Sequence, residues 1–352
     1  MRLTTPRSLS DQANAIAGTG SVIIMELGPY LILGLLEGLV TAAVLALMAL
    51  GLSLVFGVMR VVNVAHGEFF MIGAVLAWWI ADAVGSHPAF AFPAAGFMAA
   101  ILIAPVLTAM LAMAADQLVL KRLDYDPERT IVATIGLLYI IQQVTLMSFG
   151  PDARPVEAPF NHRLPIPFVE WQAGGLQAGG LQAGGLQDGG WQLYWPWGLG
   201  TTSYKLFVIM AAAVLITLIW LVLTRTRAGL VMRATRIDRD MAQAFGIPVG
   251  RVYAAVFGLG AGLAALAGVL IVPIQQAHYL MGHDPLLLSF IVVIIGGLGS
   301  LPGTVVAALL IGVGDGLISV FFSPTLAKII ATLGVAFVLI FRPEGLFGGR
   351  RQ

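Results

Sequence analysis

Residue types able to do chemistry are few in this chain, and none forms a recognisable catalytic constellation. There is no nucleophile elbow, Walker loop or His-Glu-x-x-His pattern. The 352 residues include no cysteine, which excludes disulfides, thiolate nucleophiles and Cys-ligated metals. His278, His283 and Asp284 fall within seven residues, but Pro285 adjoins them; they are expected to cap and solvate a turn, and no metal site is expected. What remains are polar groups stranded in apolar sequence. The densest knot is Asn63, His66, Gly67 and Glu68, set between two apolar runs. Gln142, Gln143 and Asp315 stand alone in such runs, as do Glu37 and Lys328. Where water is absent, such groups are costly unless protein or a cavity satisfies them, so they mark candidate gates and paths rather than bond-making chemistry. Glu37 is expected near an outer boundary, Lys328 to snorkel, and Gln142–Gln143 to bond across helices.

The elements that must position these groups follow from composition. Hydrophobic residues make up 59% of the chain and charged residues 11%, against about 25% charged in a soluble domain. Mean hydropathy is +0.92. Apolar runs of roughly 20 residues, the length that spans a bilayer core as helix, recur near 30–57, 68–84, 90–115, 131–149, 204–224, 252–273, 286–298, 303–322 and 325–341. They lack the alternation of barrel strands. The fold class is therefore all-α, a polytopic transmembrane helical bundle of eight or nine spans. The runs 68–84 and 286–298 are candidates for broken or re-entrant segments. The net charge of +1 gives no argument for nucleic acid, which is not expected as a partner.

Basic residues orient the bundle. Lys121, Arg122 and Arg129 share one connector; Arg225, Arg227, Arg233, Arg236, Arg239 and Arg251 share another; Arg342, Arg350 and Arg351 end the chain. All three are expected in the cytoplasm. Counting back places Arg60 inside, the N-terminus outside, and the Asn63–Glu68 knot near the cytoplasmic side. Residues 1–26 read as a disordered tail, and Met25 is a candidate start. The connector 150–203 is expected outside; within it, 172–191 carries Gln-Ala-Gly-Gly-Leu repeats and reads as a flexible low-complexity insert.

Two further segments carry mechanical signals. In the connector 225–251, Leu230, Ala234, Ile237, Met241 and Ala244–Phe245 recur at helical spacing opposite Arg233, Arg236, Arg239 and Asp240, with Gly246 as a stop. This predicts one short amphipathic helix, either lying on anionic lipid or docking into a cytoplasmic partner. Gly296, Gly297, Gly299 and Pro302 interrupt apolar sequence, as a tight interhelical turn or as a discontinuous helix lining a path.

Taken together, GLSLVFGVMRVVNVAHGEFFMIGA at 51–74, ATIGLLYIIQQ at 133–143, RAGLVMRATRIDRDMAQAFGI at 227–247, IGGLGSLPGTVVAALLIG at 295–312 and FRPEGLFG at 341–348 resemble the inner-membrane permeases of bacterial branched-chain amino-acid ABC importers, the LivH type. The resemblance covers residues 27–349 except the insert. It implies a permease domain without enzymatic activity, multi-pass in the bacterial inner membrane and importing branched-chain amino acids. The implied partners are a second related permease, two cytoplasmic ATPase subunits and a periplasmic amino-acid-binding protein. No cofactor is implied for this chain; ATP and Mg are used by the ATPase subunits. The helix at 228–246 would meet the ATPase, with Arg233, Arg236, Asp240, Ala242 and Gly246 as coupling candidates. The segment departs from the usual Glu-Ala-Ala opening of that loop, and only the spacing of Ala242 and Gly246 matches it. Similar permeases serve urea or short amides. A rival of another class is a transporter driven by an ion gradient, which would use Glu68 and Asp315.

Overall fold

The computed structural model describes residues 9–85, 93–165, 168–172, 190–194, 200–341 and 345–347. Among these, the long elements are helices, and two short two-stranded ribbons lie between the fourth and fifth. The helices are α1 (Leu9–Met59), α2 (His66–Gly85), α3 (Pro93–Leu118), α4 (Pro127–Phe149), α5 (Ser203–Arg225), α6 (Arg227–Ile237), α7 (Arg239–Ala244), α8 (Val249–Ile271), α9 (His283–Gly296), α10 (Leu301–Phe321) and α11 (Pro324–Phe341). Helix α1 begins at Leu9, inside the segment read as a tail, and its membrane-length apolar part is Tyr30–Met59.

Among the described residues, seven helices are long and apolar enough to cross a membrane: α1, α2, α3, α4, α5, α8 and α10. The chain is a polytopic helical membrane bundle. Helix α9, 14 residues and so about 21 Å long, is too short to cross a hydrocarbon core of about 30 Å. Local chemistry sets several boundaries. Asp126 accepts from Arg129 N at 3.0 Å with Pro127 opening α4, and Ser300 accepts from Gly303 N at 3.3 Å with Pro302 in the first turn of α10.

Helices α1 and α8 form the centre, each burying 78% of its most apolar stretch, whereas α5 buries only 17% and turns Met210, Val214 and Leu218 outward. With no water to drive burial, small residues let backbones approach. Gly34 and Gly38 of α1 lie against Gly316 and Val313 of α10, antiparallel. Phe69, Phe70, Phe257 and Leu270 fill the α2–α8 seam, with the Phe69 and Phe257 rings edge-to-face at 5.8 Å.

One end of the bundle gathers the C-terminal end of α1, the starts of α4 and α8, and α6–α7; it carries the basic connectors. At the opposite end the strands β1 (Arg163–Pro165) and β4 (Gly200–Thr202) pair antiparallel. So do β2 (Phe168–Gln172) and β3 (Gly190–Tyr194), in a register that sets Trp171 opposite Trp191. The two tryptophans that bound the repeat insert are thus brought together; its residues 173–189 lie outside the described residues. Glu37 pairs with Lys205 near the start of α5.

Two expectations change here. The connector helix is two helices, because the Asp238 carboxylate accepts from Asp240 N and Met241 N, both at 2.9 Å, and so ends α6 and caps α7. The Asn63–Glu68 knot also lies deeper than the charge map implied. His66 Nε2 bonds the carbonyl of Met48 at 3.0 Å, about three turns and about 16 Å before the end of α1. Arg60 marks the basic end, but residues 60–65 are not helical and climb back along α1, so that α2 begins near half-depth.

Candidate functional site

Along the climb from Arg60 to Ala65 burial alternates: Val61, Asn63 and Ala65 are buried while Arg60, Val62 and Val64 are less so. Arg60 reverses the chain through a left-handed φ of 56°, residues 61–63 carry it back along α1, and residues 64–65 form the turn into α2. Backbone groups freed by the break find partners. Val64 N donates to Thr134 Oγ1 on α4 at 3.2 Å, and Ala65 N donates to the Asn63 side chain at 3.1 Å. Asn63 is therefore a structural bracket for the turn that starts α2. His66 is fully buried, bonded through one nitrogen to Met48, with Nδ1 unpartnered.

Gly67 brings the start of α2 against Gly282, just before α9: a methyl group on Gly67 would lie 2.5 Å from the Gly282 carbonyl oxygen. That contact sets the two helix starts side by side. Glu68, in the first turn of α2, places Oε1 3.9 Å from His283 Nε2, beyond hydrogen-bond range, and its Oε2 has no partner. His283 Nε2 is 3.1 Å from Gln142 Nε2 of α4; the amide donates when the imidazole carries its proton on Nδ1. Asp284 follows on α9 and accepts from Lys328 of α11 at 2.6 Å. Glu68, His283 and Gln142 are thus one cluster, which the sequence left as separate candidates. His283 and its neighbour Asp284 enter it as polar lining, and among the described residues no group of three acidic or histidine side chains is placed to hold a metal. Gln143 is exposed on α4, and Asp315 is half-buried on α10; neither joins the cluster through a described bond.

The second group of candidates lies at the basic end. Gly296 ends α9; Gly297 and Gly299 have φ of 98° and 79°, left-handed values that suit glycine, and Ser300 opens α10. These residues and Pro302 form the α9–α10 turn. A methyl on Gly299 would lie 2.9 Å from Gly57 Cα and 3.4 Å from the guanidinium of Arg236. Leu346 N reaches back from the chain's end to Ile295 O at 2.7 Å. Arg236 also accepts at its carbonyl from the Arg60 guanidinium at 3.4 Å. Helix α6 therefore touches both the foot of the 60–65 climb and the α9–α10 turn.

Arg233 donates to the Leu223 carbonyl and fixes α6 beneath α5. Ala242 is buried, and Gly246 takes a φ of 81° to end the segment. Arg239 lies over the rings of Tyr125 and Tyr253 at 5.8 and 5.7 Å, tying α7 to the loop before α4 and to α8. Burial, and then the Asp116 carboxylate that its hydroxyl faces, raises the Tyr125 phenol above its ordinary range, so it stays neutral under Arg239. Large apolar side chains are left outward, Leu230 60% exposed, Ile237 80%, Met241 55% and Phe245 80%, among exposed polar ones that include Arg227, Arg236, Asp238 and Gln243. Asp240 is exposed among them. The sequence pattern had located this face; it missed Arg239 as an anchor, whose signal lay only in the distant tyrosines.

A family model described as the permease component of the branched-chain amino acid transport system matches residues 34–340. The high-affinity branched-chain amino acid permease LivH of Salmonella typhimurium strain LT2 is 26% identical over 91% of this chain and 96% of its own length. LivH of Escherichia coli K12 shows the same identity and coverage. BraD of Pseudomonas aeruginosa is 26% identical over 89% of this chain and 94% of its own. No solved structure matches. With the match running from the apolar part of α1 to the last turn of α11, the chain belongs to the family of permease components of branched-chain amino acid transport systems.

Proposed function

We propose that this chain is a permease subunit of an ATP-driven importer that moves branched-chain amino acids across the bacterial inner membrane. The observation that carries this beyond family membership is the α6–α7 surface. Four large apolar side chains point outward from a segment anchored by Arg233 and Arg239, in contact with two helix breaks. A lipid-bound helix would need its apolar face buried in the acyl boundary and a basic rim. Exposed Arg225, Arg227 and Arg236 would supply such a rim, but Asp238 and Asp240 set acids among the apolar anchors, a mixture of charge that suits a groove on a cytoplasmic ATPase better than anionic lipid. In this reading two ATPase subunits bind and hydrolyse ATP with Mg, a second related permease completes the path, and a periplasmic binding protein delivers substrate. The chain itself performs no catalysis and holds no cofactor. Asn63, His66, Gly67, Glu68 and the Gly296–Pro302 turn are the gate elements that α6 moves through Arg60 and Gly299.

The test is uptake of labelled leucine by cells or proteoliposomes containing the chain with its assembled partners. The expected result is uptake that needs ATP and is competed by isoleucine and valine, not by urea or acetamide. Competition by urea or acetamide alone would move the substrate to short amides. Uptake by the isolated chain driven by an ion gradient would overturn the ATP-driven reading.

A further inference from the structure

The carboxylate of Glu68 is 1% exposed, lies in the first turn of a helix that starts near half-depth, and has one oxygen with no hydrogen-bond partner. The helix N-terminus favours its negative charge. A buried carboxylate in a poorly hydrated place also demands a cation or several donors, and here that demand is open. Lys328 of α11 bonds Asp284, the neighbour of His283, and has no described bond to Glu68. His283, 47% exposed, stands between Glu68 and the outer face of the bundle, and its contact with Gln142 holds it there. Gly67 and Gly282 pack backbone to backbone next to the carboxylate, with the apolar Leu286 side chain as the other close neighbour, so the glycine contact itself offers the carboxylate no donor side chain.

We infer that Glu68 receives the α-ammonium group of a permeating amino acid, and that His283 must leave Gln142 to admit it. The inference rests on the amino-acid reading above and deepens it. A zwitterion crossing a bilayer carries an ammonium whose three donors match an unpartnered carboxylate, giving charge-assisted bonds where water cannot supply them. Glu68 is thereby a binding residue, and the polar pair of Asp284 and Lys328 beside it keeps the approach hydrated.

The experiment uses the complete transporter for uptake, and the permease–ATPase complex in nanodiscs, without binding protein, for direct binding of tritiated leucine. Two competitors divide the ligand: 3-methylbutylamine keeps the side chain and the ammonium, and 4-methylpentanoate keeps the side chain and the carboxylate. In the unaltered complex the amine is expected to displace leucine at a tenfold or greater lower concentration than the acid. Glu68→Gln is expected to weaken leucine binding at least tenfold and to bring the two competitors within threefold of each other. Glu68→Asp, which keeps the charge, is expected to fall between and retain the preference for amine; it stands in for Glu68→Gln should that variant fail to assemble. An assembled Glu68→Gln complex with unchanged affinity and unchanged preference overturns the inference. So does an unaltered complex that binds no leucine or prefers the acid, while the complete transporter takes leucine up. Failure of the amino-acid reading looks different: the complete, unaltered transporter then takes up no leucine, isoleucine or valine at all.

Discussion

Gly67 leaves no room for a methyl group: an ideal Cβ there falls 2.5 Å from the Gly282 carbonyl oxygen and 2.9 Å from Leu286 Cβ. The first neighbour is backbone and cannot rotate away, so Gly67→Ala must push α2 from α9. Overpacking of this kind costs about 1–3 kcal/mol, and the expected outcome is a lower melting temperature of the purified complex. Gly136 is the control: a Cβ there meets nothing within 4 Å and the residue lies inside α4, where alanine favours helix by up to about 1 kcal/mol. Gly136→Ala should therefore melt at or above the unaltered protein, and equal losses in both variants would remove the packing argument. Gly67 was visible in the sequence as part of a polar break, since glycine beside histidine and glutamate in apolar surroundings is unusual. Its partner was not, because Gly282 stands far away in the chain and no local pattern records which two glycines face each other. The same holds for Gln142 and His283, whose bond joins residues 141 positions apart.

Among the elements, α6 and α7 show what periodicity sees and what it misses. Helical spacing of Leu230, Ile237, Met241 and Phe245 placed an amphipathic segment correctly, since period 3.6 survives a short interruption. It could not show the break at Asp238, because a capping aspartate only declares itself when the next two amides turn toward it. The break matters mechanically. Helix α7 is held by Arg239 against Tyr125 and Tyr253, and α6 carries Arg236 against Gly299, so the two halves of the surface report to different parts of the bundle. Replacing Arg236 and Asp240 together by alanine removes the wedge at the α9–α10 turn and the exposed acid beside the apolar anchors. The complex should still assemble and hydrolyse ATP, while uptake per ATP falls by about an order of magnitude, or about 1.4 kcal/mol of coupling. Normal uptake by that variant at normal expression would remove α6–α7 as the transmitting element.

For the whole molecule, the decisive feature is a band of polar side chains at a depth where the rest of the surface is apolar. His283, Asp284 and Lys328 are exposed and Gln142 partly so, yet Leu287 on α9, Ile140 on α4 and Ile329 on α11 stand outward beside them. An ionised pair facing lipid chains is costly, whereas a water-filled path between two permease subunits satisfies it. Span positions and the basic end were legible from hydropathy and charge, because both depend on composition over long windows. Depth was not: a non-helical return of six residues leaves no periodic trace, which is why the knot reads as peripheral in sequence and lies near the centre of the bundle. The absence of cysteine makes the path directly testable. Leu287→Cys, one turn from His283 on α9, should react with a hydrophilic maleimide in membranes containing the assembled transporter, and leucine should slow the reaction. Leu218→Cys, equally outward on α5 but remote from the polar band, should not react, because maleimides of this kind need a hydrated thiol. Equal silence at both positions would place the α9 face against lipid and leave Glu68 without a route for substrate to reach it.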